Sequence, residues 1–247
     1  MKKIFLVFTL GAVLLSGCAK EAEESNSQVS TSEIEQTETA TEKEITENKE
    51  LLSQDETEGI VVNGINKEGD IFSSINVEIN GRNKTFNWTN ITNPSFYPQI
   101  FVGNVDVDKE DEVIIVLTTG EGIGIRESNI HVLKRDFSEI EVTDPLDKLK
   151  DVVKWNLKKG DSTRDYSISI LGKGKAFIFN ESDVVSWFDE PVMGNIIRYG
   201  FLDNRIVAEI PIQVSPGTFI GYVIVKFSLD EGKLSPTDYQ YQEQRIL

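Results

Sequence analysis

Three runs near the C-terminus set the class of fold: Ile196–Leu202 (IIRYGFL), Arg205–Val214 (RIVAEIPIQV) and Phe219–Leu229 (FIGYVIVKFSL). Each is short, rich in β-branched and aromatic residues, and bounded by turn-forming residues, which is the pattern of a strand. Asp203-Asn204 separates the first two runs, and Asp230-Glu231-Gly232 leads into a last strand near Tyr239–Gln242. Strands joined by such short turns pair antiparallel, because a parallel pair needs a crossover of about a dozen residues or more.

Working outward, Gly59–Asn66 and Ile71–Ile79 read as strands. Asn80-Gly81 is a strong hairpin signal before the returning run Arg82–Ile91, with Phe86 and Trp88 on one face. Glu112–Thr119 (EVIIVLTT) is apolar without alternation, the mark of a strand buried on both faces. Asn129–Lys134, Tyr166–Leu171 and Ala176–Phe179 complete the set, the last two as a hairpin around Gly172 and Gly174. One helix is expected, with Asp144 as cap, Pro145 in its first position and Leu146, Leu149, Val152 and Val153 at helical spacing. No βαβ rhythm appears. The expected fold is therefore all-β and mainly antiparallel, a sandwich or a few propeller-like blades, with one short helix. A full propeller of four-stranded blades should need more chain than this.

The 247 residues divide into three parts. Lys2 and Lys3 precede an apolar run, Ile4–Leu15, of 12 residues. A bilayer span needs about 20, so the run reads as a signal-peptide core and not a membrane helix. It ends in Leu15-Ser16-Gly17-Cys18, and Cys18 is the only cysteine. Residues 19–57 contain no aromatic residue, Gly or Pro and carry a net charge of −9. Such composition cannot offset the entropy of ordering, so a disordered acidic linker is expected across 18–57, with an end-to-end distance of about 35 Å. Residues 58–247 hold 20 of the 22 aromatic residues and are expected to form the folded β-rich domain.

Leu15-Ser16-Gly17-Cys18 resembles the lipobox of bacterial lipoproteins. The resemblance implies cleavage between Gly17 and Cys18 and a diacylglyceryl group on the Cys18 thiol. It further implies a protein anchored to the cell membrane and facing outward, with residues 1–17 as a lipoprotein signal peptide. Thr118–Gly124 (TTGEGIG) with Asn129–Leu133 is similar to stretches in lipoproteins and surface proteins of Firmicutes that carry no assigned activity.

One segment carries chemistry. Asn104, Asp106, Asp108 and Glu112 place oxygen side chains at alternate positions and then just past the loop. That spacing lets a tight loop wrap a hard cation, and calcium takes six to eight oxygens. The segment resembles the calcium loops of FG-GAP and VCBS repeats, which implies calcium ligands at those four positions. Asn104 replaces a carboxylate of that pattern, and Lys109 stands where glycine is usual. The other reading of the same residues is a solvated acidic turn. Gly120–Arg126 reads as a hairpin loop or bulge, because no helix N-terminus follows to hold a phosphate.

Charge and composition exclude several functions. A net charge of −16 argues against nucleic acid as a partner. With one Cys assigned to lipid and one histidine, His131, there is no thiol nucleophile and no two-histidine site. No GxSxG, HExxH, SxxK or Walker sequence occurs. His131 reads as a packed histidine, and Trp155 and Trp187 as core aromatics more readily than as sugar platforms. The expected function is a non-enzymatic binding or accessory lipoprotein whose partner is a surface protein or wall polymer. The alternative is a hydrolase using a carboxylate pair on cell-wall glycan or another extracellular substrate.

Overall fold

The computed structural model describes residues 48–106, 108 and 110–247. The signal segment, Gly17 and Cys18 lie outside these residues, as does most of the expected linker. Four antiparallel sheets follow one another along the chain. Sheet I contains β1 (Glu50–Asp55), β2 (Ile60–Glu68), β3 (Ile71–Ile79) and β4 (Arg82–Phe86) in that order, and the short β5 (Asn90–Ile91) pairs with the start of β3. Sheet II contains β6 (Gln99–Gly103), β7 (Glu112–Gly122), β8 (Ile125–Leu133) and β9 (Glu139–Ile140). Sheet III contains β10 (Val153–Lys159), β11 (Thr163–Ile170) and β12 (Lys173–Asn180). Sheet IV contains β13 (Arg198–Leu202), β14 (Arg205–Ser215), β15 (Thr218–Asp230) and β16 (Lys233–Gln242). The all-β expectation is met. Each sheet is a meander in chain order, so blade-like units describe the connectivity better than the two sheets of a sandwich.

Four sheets fit into less chain than expected because the turns are short. Seven hairpins spend two residues each: 69–70, 80–81, 123–124, 171–172, 203–204, 216–217 and 231–232. Four of these have positive φ at both turn residues: Asn80-Gly81 (52°, 78°), Leu171-Gly172 (49°, 81°), Asp203-Asn204 (51°, 58°) and Glu231-Gly232 (48°, 83°). That is the type I′ pattern, whose twist matches the strands it joins.

The structure corrects three expectations. β1 lies inside the stretch read as linker, so among the described residues the folded part reaches back to Glu50, ahead of residue 58. Its acidic composition hides one core residue, Leu52, which is 7% exposed in the sheet I core. Glu50 also finds specific partners in the Tyr97 hydroxyl at 2.7 Å and Lys67 at 3.2 Å. The expected helix shrinks to one turn, α1 (Leu149–Val152). Asp144 Oδ1 does accept the Leu146 N–H at 2.8 Å, but a turn precedes α1 and Val153 already pairs with Ile170 of β11. Leu149 and Val153 are both buried by either spacing, and the β-branched pair Val152-Val153 with Trp155 favours the strand. The run Arg82–Ile91 is not one strand either: it breaks after Phe86, and Asn90-Ile91 pairs at the opposite end of β3.

β7 is buried on both faces, as its sequence predicts. Val113, Ile115 and Leu117 join Leu133 and sheet I residues such as Val62, Phe72 and Ile75 in one core. Ile114 and Val116 join Val132 and residues of sheets III and IV, among them Tyr166, Ile168, Ile206 and Phe227, in the other.

Leu171 stands apart among the turn residues. It carries an apolar side chain, 64% exposed, at a left-handed position that its counterparts fill with Asn, Asp or Glu. Leu171→Asn should stabilise the protein by about 0.5–1 kcal/mol by relieving this backbone strain. In a chain of this size that raises the thermal midpoint by roughly 1–4 °C, measurable by calorimetry.

Candidate cation-binding loop

The loop between β6 and β7 is fixed at its root. Gly103 pairs with Glu112 across the two strands, and the Phe201 ring of β13 packs onto Gly103 so closely that a Cβ there would lie 2.2 Å from it. Inside the loop, polar side chains satisfy the backbone that the tight turn leaves unpaired. Asp106 Oδ1 accepts the N–H of Asp108 at 3.0 Å, and Asp108 Oδ1 accepts that of Glu110 at 2.7 Å. Glu112 Oε2 accepts the N–H of Val105 at 2.9 Å. The Asn104 side-chain amide donates to the carbonyls of Asp108 and Glu110. Short Asp and Asn side chains suit such local bonds, which compete with regular structure.

Three of the four expected ligands converge: carboxylate oxygens of Asp106, Asp108 and Glu112 all lie within 4.8 Å of one another. Such a cluster could hold a metal ion. Asn104 ties the loop through its amide N–H groups. Lys109 lies outside the described residues.

Sequence reading missed Lys134. Leu133 of β8 pairs with Val113 of β7, which carries the next residue to the mouth of the loop. Its ammonium sits against Asp106 and 3.2 Å from Asp108 Oδ2. The signal was the hairpin register, which only a firm pairing of β7 with β8 supplies. Lys134 divides the electrostatics of the loop. Its hydrogen bond holds the Asp106 carboxyl below the usual range, with help from the Asp108 N–H. The two aspartates in turn push the Lys134 ammonium above its ordinary value. Glu112 moves the other way: burial raises its pKa, the neighbouring aspartates add to that, and the Val105 N–H opposes it. Glu112 is 1% exposed.

Trp155, expected in the core, is instead 37% exposed; the other singled-out residues have structural roles. Gly120–Arg126 forms the β7–β8 turn, with a register irregularity between Thr118 and Gly120 and Gly124 at φ 71°. Trp187 packs on Phe179 at 5.5 Å and donates its indole N–H to the Glu181 carbonyl at 3.0 Å. His131 stacks on Trp88 at 3.7 Å, and Trp88 stacks on Phe86 at 4.0 Å. This ladder joins β8 of sheet II to the end of sheet I. Burial lowers the His131 pKa, and the Glu139 carboxylate 2.7 Å away opposes the shift.

Glu112→Gln keeps an acceptor for Val105 while removing a buried charge, so it should leave the metal-free thermal midpoint unchanged or higher and weaken calcium binding at least tenfold by calorimetric titration. Lys134→Met should do the reverse, lowering the metal-free midpoint and tightening calcium binding by about tenfold, because a competing cation is gone. For His131, a folded-state pKa below the unfolded value of about 6.5 means that the unfolded chain takes up a proton first as pH falls. Stability should therefore be full above about pH 6.5 and decline below it. His131→Phe should flatten that part of the pH profile of the urea midpoint.

The chain matches no family model, no curated protein and no solved structure.

Proposed function

We propose that the protein is a membrane-anchored, extracytoplasmic accessory protein of non-enzymatic binding type, held by lipid on Cys18. The observation that carries this reading is Leu15-Ser16-Gly17-Cys18 after a charged and apolar segment too short to span a bilayer. Two or more acyl chains on one residue would anchor the chain stably. The β domain then works as a binding module for a surface protein or wall polymer, with calcium in the loop of Asp106, Asp108 and Glu112. The donors there are oxygen alone, which suits a hard cation. Calcium would stiffen the connection between β6 and β7, and outside a cell a site as weak as roughly 10⁻⁴–10⁻³ M is useful.

Expression in a bacterium with labelled fatty acid tests the anchor. The wild-type chain should take up label and sediment with membranes, and Cys18→Ala should do neither. An unlabelled wild-type chain would overturn the reading. Cross-linking capture from those membranes, with and without calcium, tests the binding role: a wall fragment or surface protein should be recovered above the Cys18→Ala background.

A further inference from the structure

β8 loses its outer partner part-way along. Its even-numbered residues turn their main-chain groups away from β7. Arg126 donates its N–H to the Asn195 carbonyl at 2.7 Å and accepts that of Ile197 at 3.2 Å, and Lys134 donates to the Ser138 carbonyl at 2.8 Å. Alternation along a strand points the N–H and C=O of Ser128 and Ile130 the same way. No strand lies there among the described residues. β9 pairs only with Val132 and Leu133, and the chain after it turns aside: the Thr143 N–H donates to the Leu234 carbonyl at 2.9 Å, and the Leu234 N–H to that of Glu141 at 2.8 Å. The main-chain donors and acceptors of Ser128 and Ile130 are left open between two closed ends.

These two residues line a groove of about 410 Å³ together with Val142, Asp144, Ile197 and Tyr199. Ser128 is 8% exposed, and its buried hydroxyl finds no hydrogen-bond partner among the described residues. The charge of the walls is of one sign. Glu127 and Asp144 line the groove without an ion pair, and no Lys or Arg is among its described lining residues. His131, also in the lining, is bonded to Glu139 at 2.7 Å and pushed toward its neutral form by burial. The nearest cations along the chain face other groups: Arg126 lies over the Phe96 ring at 5.4 Å, and Arg198 pairs with Glu209. Open main-chain groups at strand spacing match the backbone of an extended polypeptide, and the two carboxylates favour basic side chains on it.

We propose that an extended, basic segment of a partner polypeptide docks in this groove as an added strand on β8, bonded to the main chain of Ser128 and Ile130. The inference rests on the binding-module reading above and narrows the partner to a protein.

The test uses the full chain with Cys18→Ala and two peptides. One is acetyl-Thr-Lys-Val-Lys-Thr-amide. The other has the same sequence with its three central residues N-methylated, which keeps the charge and removes main-chain donors. Hydrogen exchange is read residue by residue by NMR. The first peptide at saturation should slow exchange of the Ser128 and Ile130 amides by about tenfold or more. Asn83 and Thr85, on the open edge of β4, should not respond. The N-methylated peptide should bind far more weakly. Ser128→Pro removes an N–H that β7 does not use, and should weaken binding about tenfold. Glu127→Gln with Asp144→Asn keeps an acceptor for the Leu146 N–H and should weaken binding about fivefold, so the test does not depend on the proline variant folding. No slowing at Ser128 and Ile130 with millimolar peptide overturns the proposal. Equal binding of the N-methylated peptide does so too, because charge alone would then explain it, as does equal slowing on β4. An oligomer of N-acetylglucosamine that slows the same amides when the peptide does not also overturns it, and assigns the groove to a glycan. Capture of a surface protein that survives Ser128→Pro overturns this contact while leaving the binding-module reading in place, so the two fail separately.

Discussion

Burial of β7 on both faces is the constraint on which the structure depends. One strand supplies Val113, Ile115 and Leu117 to the sheet I core and Ile114 and Val116 to the core shared with sheets III and IV. A strand apolar on both sides is weakly specified in register by hydrophobicity, because a slip of one residue still buries apolar groups. Polar clamps at the two ends of the run supply the missing specification. At one end Glu112 accepts the Val105 N–H. At the other, the fully buried Asn90 accepts the Thr118 N–H at 2.8 Å and donates to the carbonyls of Ile91 and Phe96. A slip would strand these buried groups without partners, at a cost of about 1–3 kcal/mol each.

The turns do the corresponding work for the sheets. A two-residue type I′ turn fixes register and twist together, so each meander follows from its hairpins. Asn, Asp and Gly make that conformation inexpensive at Asn80-Gly81 and Asp203-Asn204. Leu171 departs from this economy, and nothing packed around it compensates.

Legibility in the sequence followed the length scale of the cause. Asn80-Gly81, the two-sided burial of β7 and the three runs of sheet IV are local patterns, and all appear at or within a few residues of their expected places. β1 was hidden because a window of acidic residues outweighs Leu52, whose burial depends on strands that follow it. The helix was overread because Leu149 and Val153 satisfy helical spacing, while the pairing of Val153 with Ile170 is a contact 17 residues away in the chain. At the loop, Asp106, Asp108 and Glu112 were legible as a spacing pattern. Lys134 was not, since it arrives from the far end of a hairpin, and the donor role of the Asn104 amide depends on carbonyl directions that only the folded loop defines.

Three carboxylates within 4.8 Å need positive charge, and among the described residues the ammonium of Lys134 supplies it. That ammonium does not serve them equally. Asp106 is held below its usual pKa by Lys134, whereas Glu112 is raised, with burial as the first cause and the Lys134 charge a minor opposing one. Lys134 is 39% exposed along its side chain, so it approaches from the solvent side, while Glu112 is buried at the start of β7. Lys134 thus pairs with the two aspartates, one buried and one exposed, while Glu112 has the Val105 N–H as its partner. Among the described residues Lys134 is the cation that acts on Glu112, and it only partly offsets the cost of ionising that buried carboxyl. A cation seated deeper, against all three carboxylates, would remove that cost and displace a side chain that can leave into water.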